Sequence, residues 1–420
     1  MQTYQSVLAQ IPSPAERRIA LRVTPAAERA IRQGHPWVFD QAITEQSHSG
    51  QPGDLAVIFD EKRRFLAVGF YDPISPLRVR ILQQGQPAPI DAAWFHDKLT
   101  SAAQIRSALD NLSPANSTNG YRLVHGENDG LPGLVIDRYA NTLVIKLYSP
   151  AWVIHLRDVC SALAQVCPAE RLILRLSRAI QKHPDYLYGM SDGQLLDGIP
   201  LDGPLLFQEN GLTFEAEPIL GQKTGFFLDQ RDNRARVERL SQGKTVLNVF
   251  AYSGGFSVYA ARGGAKRVVS VDLSAPALQA AERNMAHNHH IPNVAAAQHE
   301  TVAQDAFDVL VRMHTWQERF DVVILDPPMF AQNQAQIATA LAAYRKLTHL
   351  GLGVLRPGGT LVQASCSSRV DADHFFNAIH QAARDAGRPL KELERTAHAL
   401  DHPIRFKEGA YLKCLFAVAQ

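Results

Sequence analysis

Lys244-Thr-Val-Leu-Asn-Val-Phe-Ala-Tyr-Ser-Gly-Gly-Phe-Ser257 and, after a Gly263-Gly264 stop, Val268-Val-Ser-Val-Asp272 decide the fold. An apolar strand, Thr245 to Phe250, leads into the small-residue turn Ser253, Gly254, Gly255, then a helical pattern, then a second strand that ends in a carboxylate. In a parallel α/β sheet this order brings Gly254, Gly255 and Asp272 to the carboxyl edge, where a nucleoside can lie with its ribose held by the acid. Asn248, Phe250, Tyr252, Ser253 and Leu273 share that edge as candidate contacts. A tight strand-to-helix turn with a helix-flanking acid would give the same pattern without a ligand. The turn lacks the full G-x-G-x-x-G spacing, so no cradle for a pyrophosphate is in sight. That weakens NAD and favours S-adenosylmethionine, a nucleoside without phosphates.

Composition sets the outer limits. At 420 residues the chain is longer than one core usually organises, which predicts two or three domains. With 46% hydrophobic and 20% charged residues it reads as an ordinary globular chain. The four cysteines, Cys160, Cys167, Cys366 and Cys414, are scattered and show no metal-site spacing, so neither a disulfide scaffold nor a metal is expected. Met1 to Pro14 holds no apolar run of signal-peptide length and no later run reaches a membrane span, which predicts a cytoplasmic protein. The 43 basic residues nearly balance the 41 acidic ones, so any footprint for nucleic acid must be local.

From the start, Met1 to about Arg18 reads as a loose polar tail. Between Ile19 and Leu82 the apolar runs are short and strand-like (Leu21 to Val23, Leu55 to Phe59, Phe65 to Tyr71, Leu77 to Leu82), with a short helix at Pro25 to Gln33 before His35-Pro-Trp-Val-Phe39. Short strands with turn signals suggest a small β-barrel over residues 19–85. Arg63 and Arg64, with Arg78 and Arg80 alternating along one strand, are candidates for tracking an RNA phosphate backbone, though solvated strand faces look the same. A helix from Asp91 to about Leu112, a Ser/Asn-rich loop at 113–119, a hairpin with turns at Asn128-Asp129-Gly130 and Ala140-Asn141, a helix from Ala151 to Val166 and a strand from Arg171 to Leu176 predict a small α+β middle domain over 86–203. It should end in the polar, Gly-rich stretch Gly189 to Gly203.

Residues 204–420 alternate strands with helices. The strands are expected at Val246 to Phe250, Val268 to Val271, Val294 to Gln298, Phe320 to Leu325, Thr360 to Ala364 and Tyr411 to Ala417. Helices are expected from Phe256, Ala275, Asp305, Ala335 and Asp371. This predicts an α/β, Rossmann-like layer with helices on both faces of a parallel-rich sheet.

Chemistry-bearing residues fall at the ends of those strands. Asp305-Ala306-Phe307 could hold and stack an adenine, and Asp305 serves equally as a helix N-cap. Asp326-Pro-Pro-Met-Phe330 fixes a rigid bend at the strand end, where the Asp326 carboxylate can bond the polar edge of a flat base. Ser365-Cys-Ser-Ser368 puts Cys366 at the end of the next strand. C5 of a pyrimidine is a poor nucleophile, and thiolate attack at C6 makes it an enamine able to accept a methyl cation equivalent. The other three cysteines read as core residues. Lys223, Asp229, Arg231 and Asp232, within Gly221 to Arg234, read as a cover over the methionine end of the cofactor.

The series Lys223-Thr-Gly-Phe-Phe-Leu-Asp-Gln-Arg231, Asn248-Val-Phe-Ala-Tyr-Ser-Gly-Gly-Phe256, Asp305-Ala-Phe307, Asp326-Pro-Pro-Met-Phe330 and Ser365-Cys-Ser367 resembles the RlmI family, bacterial 23S ribosomal RNA cytosine-C5 methyltransferases dependent on S-adenosylmethionine. The likeness includes His35 to Phe39, Tyr121 to Gly133, Asp401-His-Pro403 and Glu408 to Lys413. It implies an N-terminal PUA domain for RNA contact, a central α/β domain and a C-terminal class I methyltransferase, with Cys366 as nucleophile and Asp326 as base-orienting acid. Family members usually carry Lys where this chain has Met329, and Arg175 to Gly198 departs from the family's middle domain. A uracil-C5 methyltransferase and a non-catalytic RNA-binding protein that keeps the cofactor fold are the alternatives. An exocyclic nitrogen target would leave Cys366 idle. Ribosomal RNA is the expected partner, and the chain could form a homo-oligomer.

Overall fold

Alternating short apolar runs build the first sheet. In the computed structural model, which describes residues 8–110, 113 and 116–420, they are β1 (Ile19–Val23), β2 (Trp37–Phe39), β3 (Ile43–Gln46), β4 (Leu55–Phe59), β5 (Phe65–Tyr71) and β6 (Leu77–Gln84), in the order β2-β6-β5-β4-β1-β3. Only β1 and β4 pair in parallel. Helix α1 (Pro25–Arg32) starts where Thr24 caps the Ala27 amide and Pro25 presets the first turn. Ile19, Leu21, Ile58, Ala67 and Val79 form the core of this sheet. Burying each of the larger side chains contributes about 2 kcal/mol.

The next elements are α2 (Ala92–Asp110), β7 (Gly120–His125), β8 (Leu134–Tyr139), β9 (Thr142–Leu147), α3 (Leu156–Val166), β10 (Arg171–Leu176) and β11 (Leu195–Asp197). The strands form a second sheet, β11-β10-β9-β8-β7. Gly130 (φ 73°) and Ala140 (φ 51°) take the left-handed conformations that the expected turns require. The Gly-rich stretch 189–203 contributes the edge strand β11, so it is more than a boundary. All of this belongs to one of two compact units: residues up to Gly211, Ala216–Leu228 and Leu400–Lys407.

The expected loose tail is docked where it is described. Leu8 and Ile11 are buried in the core of the second sheet, and the Arg157 guanidinium donates to both of their carbonyls at 3.0 Å. Two apolar residues in a Gln/Pro-rich stretch are too sparse a pattern to reveal this. Residues 1–7 of that tail, 111–112 of the expected helix and 114–115 of the expected loop lie outside the described residues.

A buried ion pair ties this unit together. Arg106 on α2 is fully buried and donates to both Asp129 oxygens at 2.8 and 2.7 Å and to the Asp401 carbonyl at 2.9 Å. Asp129→Ala strands that guanidinium in a dry site, which costs about 3–5 kcal/mol. Three of the four tryptophans (Trp37, Trp94, Trp152) lie in this unit, so a lowered urea midpoint in tryptophan fluorescence checks the expectation. An unchanged midpoint contradicts it.

The second unit comprises Leu212–Glu215, Asp229–Ala399 and Glu408–Gln420. The chain runs through β12 (Leu205–Glu209) of the first unit and enters the second by β13 (Leu212–Ala216), whose Thr213 and Glu215 amides donate to the Asn288 and Asn284 side chains. Then follow α4 (Arg231–Leu240), β14 (Thr245–Val249), α5 (Gly255–Arg262), β15 (Arg267–Asp272), α6 (Ala275–His287), α7 (Pro292–Ala296), β16 (Gln298–Ala303), α8 (Ala306–Thr315) and β17 (Phe320–Leu325). The chain continues through α9 (Ile337–Val354), β18 (Leu355–Ser365), α10 (Ala372–Asp385), β19 (Leu390–Thr396) and β20 (Lys413–Ala419).

The strand order is β16-β15-β14-β17-β18-β20-β19, parallel except where β20 runs against β18 and β19. From β14 the chain first winds outward to β15 and β16, then crosses back to β17 and β18. The reversal opens a crevice at the carboxyl ends of β14 and β17, the place where such sheets take ligands. Three expectations need correction. Val294 to Gln298 is mostly helix α7, because Pro292 starts a turn and the alanines that follow favour it; the strand begins at Gln298. Strand β18 starts at Leu355, with Pro357-Gly358-Gly359 inside it beside a register shift. Strand β19 was not expected at all, since Leu-Lys-Glu-Leu-Glu-Arg-Thr is the charged pattern of an edge.

Candidate active site

The β14–α5 turn is held in an unusual backbone. Phe250 (φ 63°), Tyr252 (φ 48°) and Gly254 (φ 74°) all lie in the left-handed region. Two non-glycine residues there represent stored strain, which folds tolerate mainly at functional sites. The strain is balanced by fixed bonds. Ala251 N donates to the Val271 carbonyl at 2.9 Å, and the Asn284 side chain donates to the Ser253 carbonyl at 2.8 Å. A Cβ on Gly254 would come within 2.6 Å of the Ala281 Cβ, so α6 packs directly against the turn.

Asp272, at the tip of β15, accepts the Tyr252 amide at 2.8 Å on one oxygen and the Ser274 amide at 2.9 Å on the other. These bonds keep the carboxylate beside the turn while each oxygen retains a lone pair. Leu273 next to it is exposed. The Ser253 hydroxyl is buried and has no hydrogen-bond partner among the described residues. A buried orphan hydroxyl beside a fixed carboxylate is what the hydroxyls of a nucleoside would complete, so the residues fit the cofactor. Asn248 sits behind the turn, its amide donating at 2.9 Å to Ser257, which bonds Ser270 and through it His299. This buried relay fixes α5 to the sheet. Phe250 is half-buried against the core.

Asp305 caps α8, accepting the Phe307 and Asp308 amides at 2.9 and 3.2 Å, and is exposed at the end of β16. Ala306 is buried, and the half-exposed Phe307 ring lies 5.1 Å from the Lys346 ammonium. Acid and aromatic thus both lie just past the end of β16.

Asp326 and Cys366 end the adjacent parallel strands β17 and β18, where Leu325 is opposite Gln363. Both are partly exposed. Tyr344 on α9 lies near both: burial pushes its phenol up to about 12, its bond to Ser365 at 2.8 Å pulls it down, and charge at Cys366 and Asp326 pushes it up again. Cys366 is flanked by Ser365 and Ser367, both buried, with the Ser367 hydroxyl bonded to the Ala331 carbonyl at 3.3 Å. Cys160, Cys167 and Cys414 are buried, as their reading as core residues expected.

Sequence reasoning missed the residues that aim Asp326. Gln230 donates to Asp326 at 2.9 Å, Asn233 donates to Gln230 at 2.6 Å, and Thr396 of β19 donates to Asn233 at 2.5 Å. A polar run such as Asp229-Gln-Arg-Asp-Asn233 gives no sign of which side chain turns inward; its position before the first strand was the only signal. Asp229 and Arg231 are buried in this same unit, Asp229 accepting from the Tyr411 hydroxyl at 2.9 Å and Arg231 pairing with Asp232 at 3.4 Å. Lys223 belongs to the first unit, where the Lys146 ammonium donates to its carbonyl at 3.0 Å and its own ammonium covers the Phe227 ring at 4.3 Å.

The four arginines of the first sheet do not share one role. Arg64 is exposed and paired with Asp60, and Arg63 is an exposed turn residue at φ 59°. Arg78 donates to the Asp72 carbonyl at 3.3 Å and lies 3.9 Å from Asp40. Arg80 is buried and pairs at 3.2 Å with Asp72, which also accepts from Ser149. Its guanidinium is held inside the unit, away from any phosphate backbone.

Residues 121–416 match the S-adenosylmethionine-dependent methyltransferase family, and residues 21–84 match the PUA-like domain. The chain is 48% identical over 406 residues to a protein of Deinococcus radiodurans named Ribosomal RNA large subunit methyltransferase, covering 96% of this chain and 98% of that one. It is 37% identical to Ribosomal RNA large subunit methyltransferase I of Pseudoalteromonas translucida, covering 92% and 96%. The crystal structure of SMU.776 complexed with SAH shares the fold, with a TM-score of 0.80 at 22% identity over 96% of this chain and 99% of that chain. Among the described residues no helix is long and apolar enough to cross a membrane. The strained glycine turn, the anchored Asp272 and these matches agree: the chain belongs to the S-adenosylmethionine-dependent methyltransferase family and carries a PUA-like domain ahead of the methyltransferase fold.

Proposed function

We propose that the protein methylates C5 of a cytosine in large-subunit ribosomal RNA, with Cys366 as nucleophile. The observation that carries this reading is that Cys366 and the braced Asp326 follow directly on the ends of two paired parallel strands, β18 and β17. The names of the Deinococcus and Pseudoalteromonas relatives support the RNA. Bound S-adenosylmethionine supplies an electrophilic methyl group. Tyr252, Ser253, Gly254, Gly255, Asp272 and Leu273 would hold its ribose end, Asp305, Ala306 and Phe307 its adenine, and Asp229 and Arg231 its amino-acid end.

The chain's own chemistry follows from residue type. The Cys366 thiolate adds to C6 of the pyrimidine, which makes C5 an enamine carbon and therefore nucleophilic. Asp326, fixed by Gln230, accepts from the exocyclic amine of the base and sets the ring plane over the thiolate. After methyl transfer, loss of the C5 proton to water re-forms the C5–C6 double bond and expels the sulfur as thiolate. The target nucleotide must leave its helix or loop for this to happen. Arg63, Arg64 and the partly exposed Arg78 of the PUA-like domain contact phosphate, while the buried Arg80 braces that domain from within.

The test is direct. Radiolabelled S-adenosylmethionine and ribosomal RNA from a strain lacking the gene are expected to give one 5-methylcytosine in the large-subunit RNA. Label appearing as 5-methyluridine, or no transfer at all, overturns the assignment.

A further inference from the structure

Lys413 is the last residue of the Glu408-Gly-Ala-Tyr-Leu-Lys413 motif and the first of β20, where its backbone pairs with Ser365. It is only 5% exposed, an unusual burial for a lysine. Its ammonium donates to the carbonyls of Ser367 and Val370, on the far side of Cys366 in the loop that leaves β18. Two carbonyls on one buried cation fold residues 365–370 around it. The hydroxyl bonds of Ser365 to Tyr344 and of Ser367 to Ala331 hold the same loop from the other side.

We propose that Lys413 is the positioning residue of Cys366: its ammonium gathers the 365–370 loop and supplies the positive charge that favours the thiolate. The inference rests on Cys366 being the nucleophile. A buried charge needs compensation, and two carbonyl dipoles give only part of it. Burial brings the Lys413 ammonium down to about 8, and charge at Cys366 and Asp371 raises it. Since a lysine is cationic below its pKa, the charge is present at neutral pH and fades as pH rises past 8.

Two carboxylates, a phenol and an arginine also belong to the elements around this loop. Asp326 at the end of β17 and Asp371 at the N-cap of α10 are carboxylates, with Asp371 itself paired to His374 at 2.6 Å. The Tyr344 phenol on α9 stays protonated throughout the neutral range. Arg369, the remaining cation of the loop, is exposed. Ionisation breaks the sulfur–hydrogen bond and hands the proton to solvent, leaving the thiolate beside the ammonium.

The experiment follows Cys366 alkylation by iodoacetamide against pH in the full-length protein, read by mass spectrometry of the Cys366 peptide. The other three cysteines are buried and do not compete. In Lys413→Met the midpoint is expected to rise by about one unit and the rate at pH 7 to fall about tenfold. RNA methylation kcat is expected to fall in parallel with KM for RNA unchanged. Lys413→Arg, which keeps the charge, is expected to keep the midpoint within a few tenths of the unmutated value. S-adenosylhomocysteine binding within about twofold establishes that each variant is folded. An unmoved midpoint in a folded Lys413→Met protein overturns the proposal. If that variant does not bind S-adenosylhomocysteine, the arginine variant decides, and a raised midpoint there overturns it. If Cys366→Ala still methylates RNA, the nucleophile reading fails separately, because alkylation reads the thiol without turnover.

Discussion

Cys366→Ala is expected to abolish RNA methylation, by at least about 10³-fold in kcat, while S-adenosylmethionine binding changes by less than about twofold. The asymmetry follows from where the groups sit. Cys366 ends β18, whereas the turn and the Asp272 carboxylate that fit the nucleoside end β14 and β15, on the other side of β17. Removing the sulfur deletes the group that activates C5 and leaves those hydrogen bonds in place. The small change of volume at a partly exposed position leaves the sheet intact. Isothermal titration with S-adenosylhomocysteine and a radiolabel transfer assay measure the two halves. Retained transfer would mean that the base takes the methyl group without covalent activation, as an exocyclic amine could. Loss of both would mean that residue 366 supports the fold.

Much of this arrangement was legible because few residue types satisfy it. Only glycine tolerates the close approach of α6 at position 254, and two prolines soon after Leu325 cannot extend a ladder, so turn and strand ends showed in the sequence. The parts that stayed hidden are those where the pattern does not specify a direction. Period-two alternation puts Arg78 and Arg80 on one face of β6 but does not say that Asp72 waits inside to receive Arg80. The polar run at 229–233 does not reveal that Gln230 turns to Asp326 while Asp229 turns to Tyr411. Lys413 reads as one more residue of the expected strand Tyr411 to Ala417 until the pairing of β18 with β20 brings it beside Ser365. In each case a long-range polar contact, set by tertiary structure, decides the role.

Asp326→Asn is expected to lower kcat by about 10²-fold with little loss of cofactor affinity. The substitution keeps size and shape, and an oxygen at Oδ1 still accepts from Gln230, so the brace through Asn233 and Thr396 survives. The other carboxylate oxygen becomes an amide that donates. A cytosine amine also donates, so the two would meet donor to donor, and the ring would lose its register over the Cys366 sulfur. Uracil presents a carbonyl at that position, so the asparagine variant should lose less against an RNA in which uracil replaces the target cytosine. Gln230→Ala leaves the acid chemically unchanged but free to turn, and it is expected to cost about tenfold in kcat, a smaller penalty than the isosteric change beside it. If Asp326→Asn methylates cytosine at the unmutated rate, the carboxylate is a strand terminator without a hold on the base. If both variants fall equally, its role is to brace the β17 end, since only recognition of the base distinguishes an acceptor from a donor.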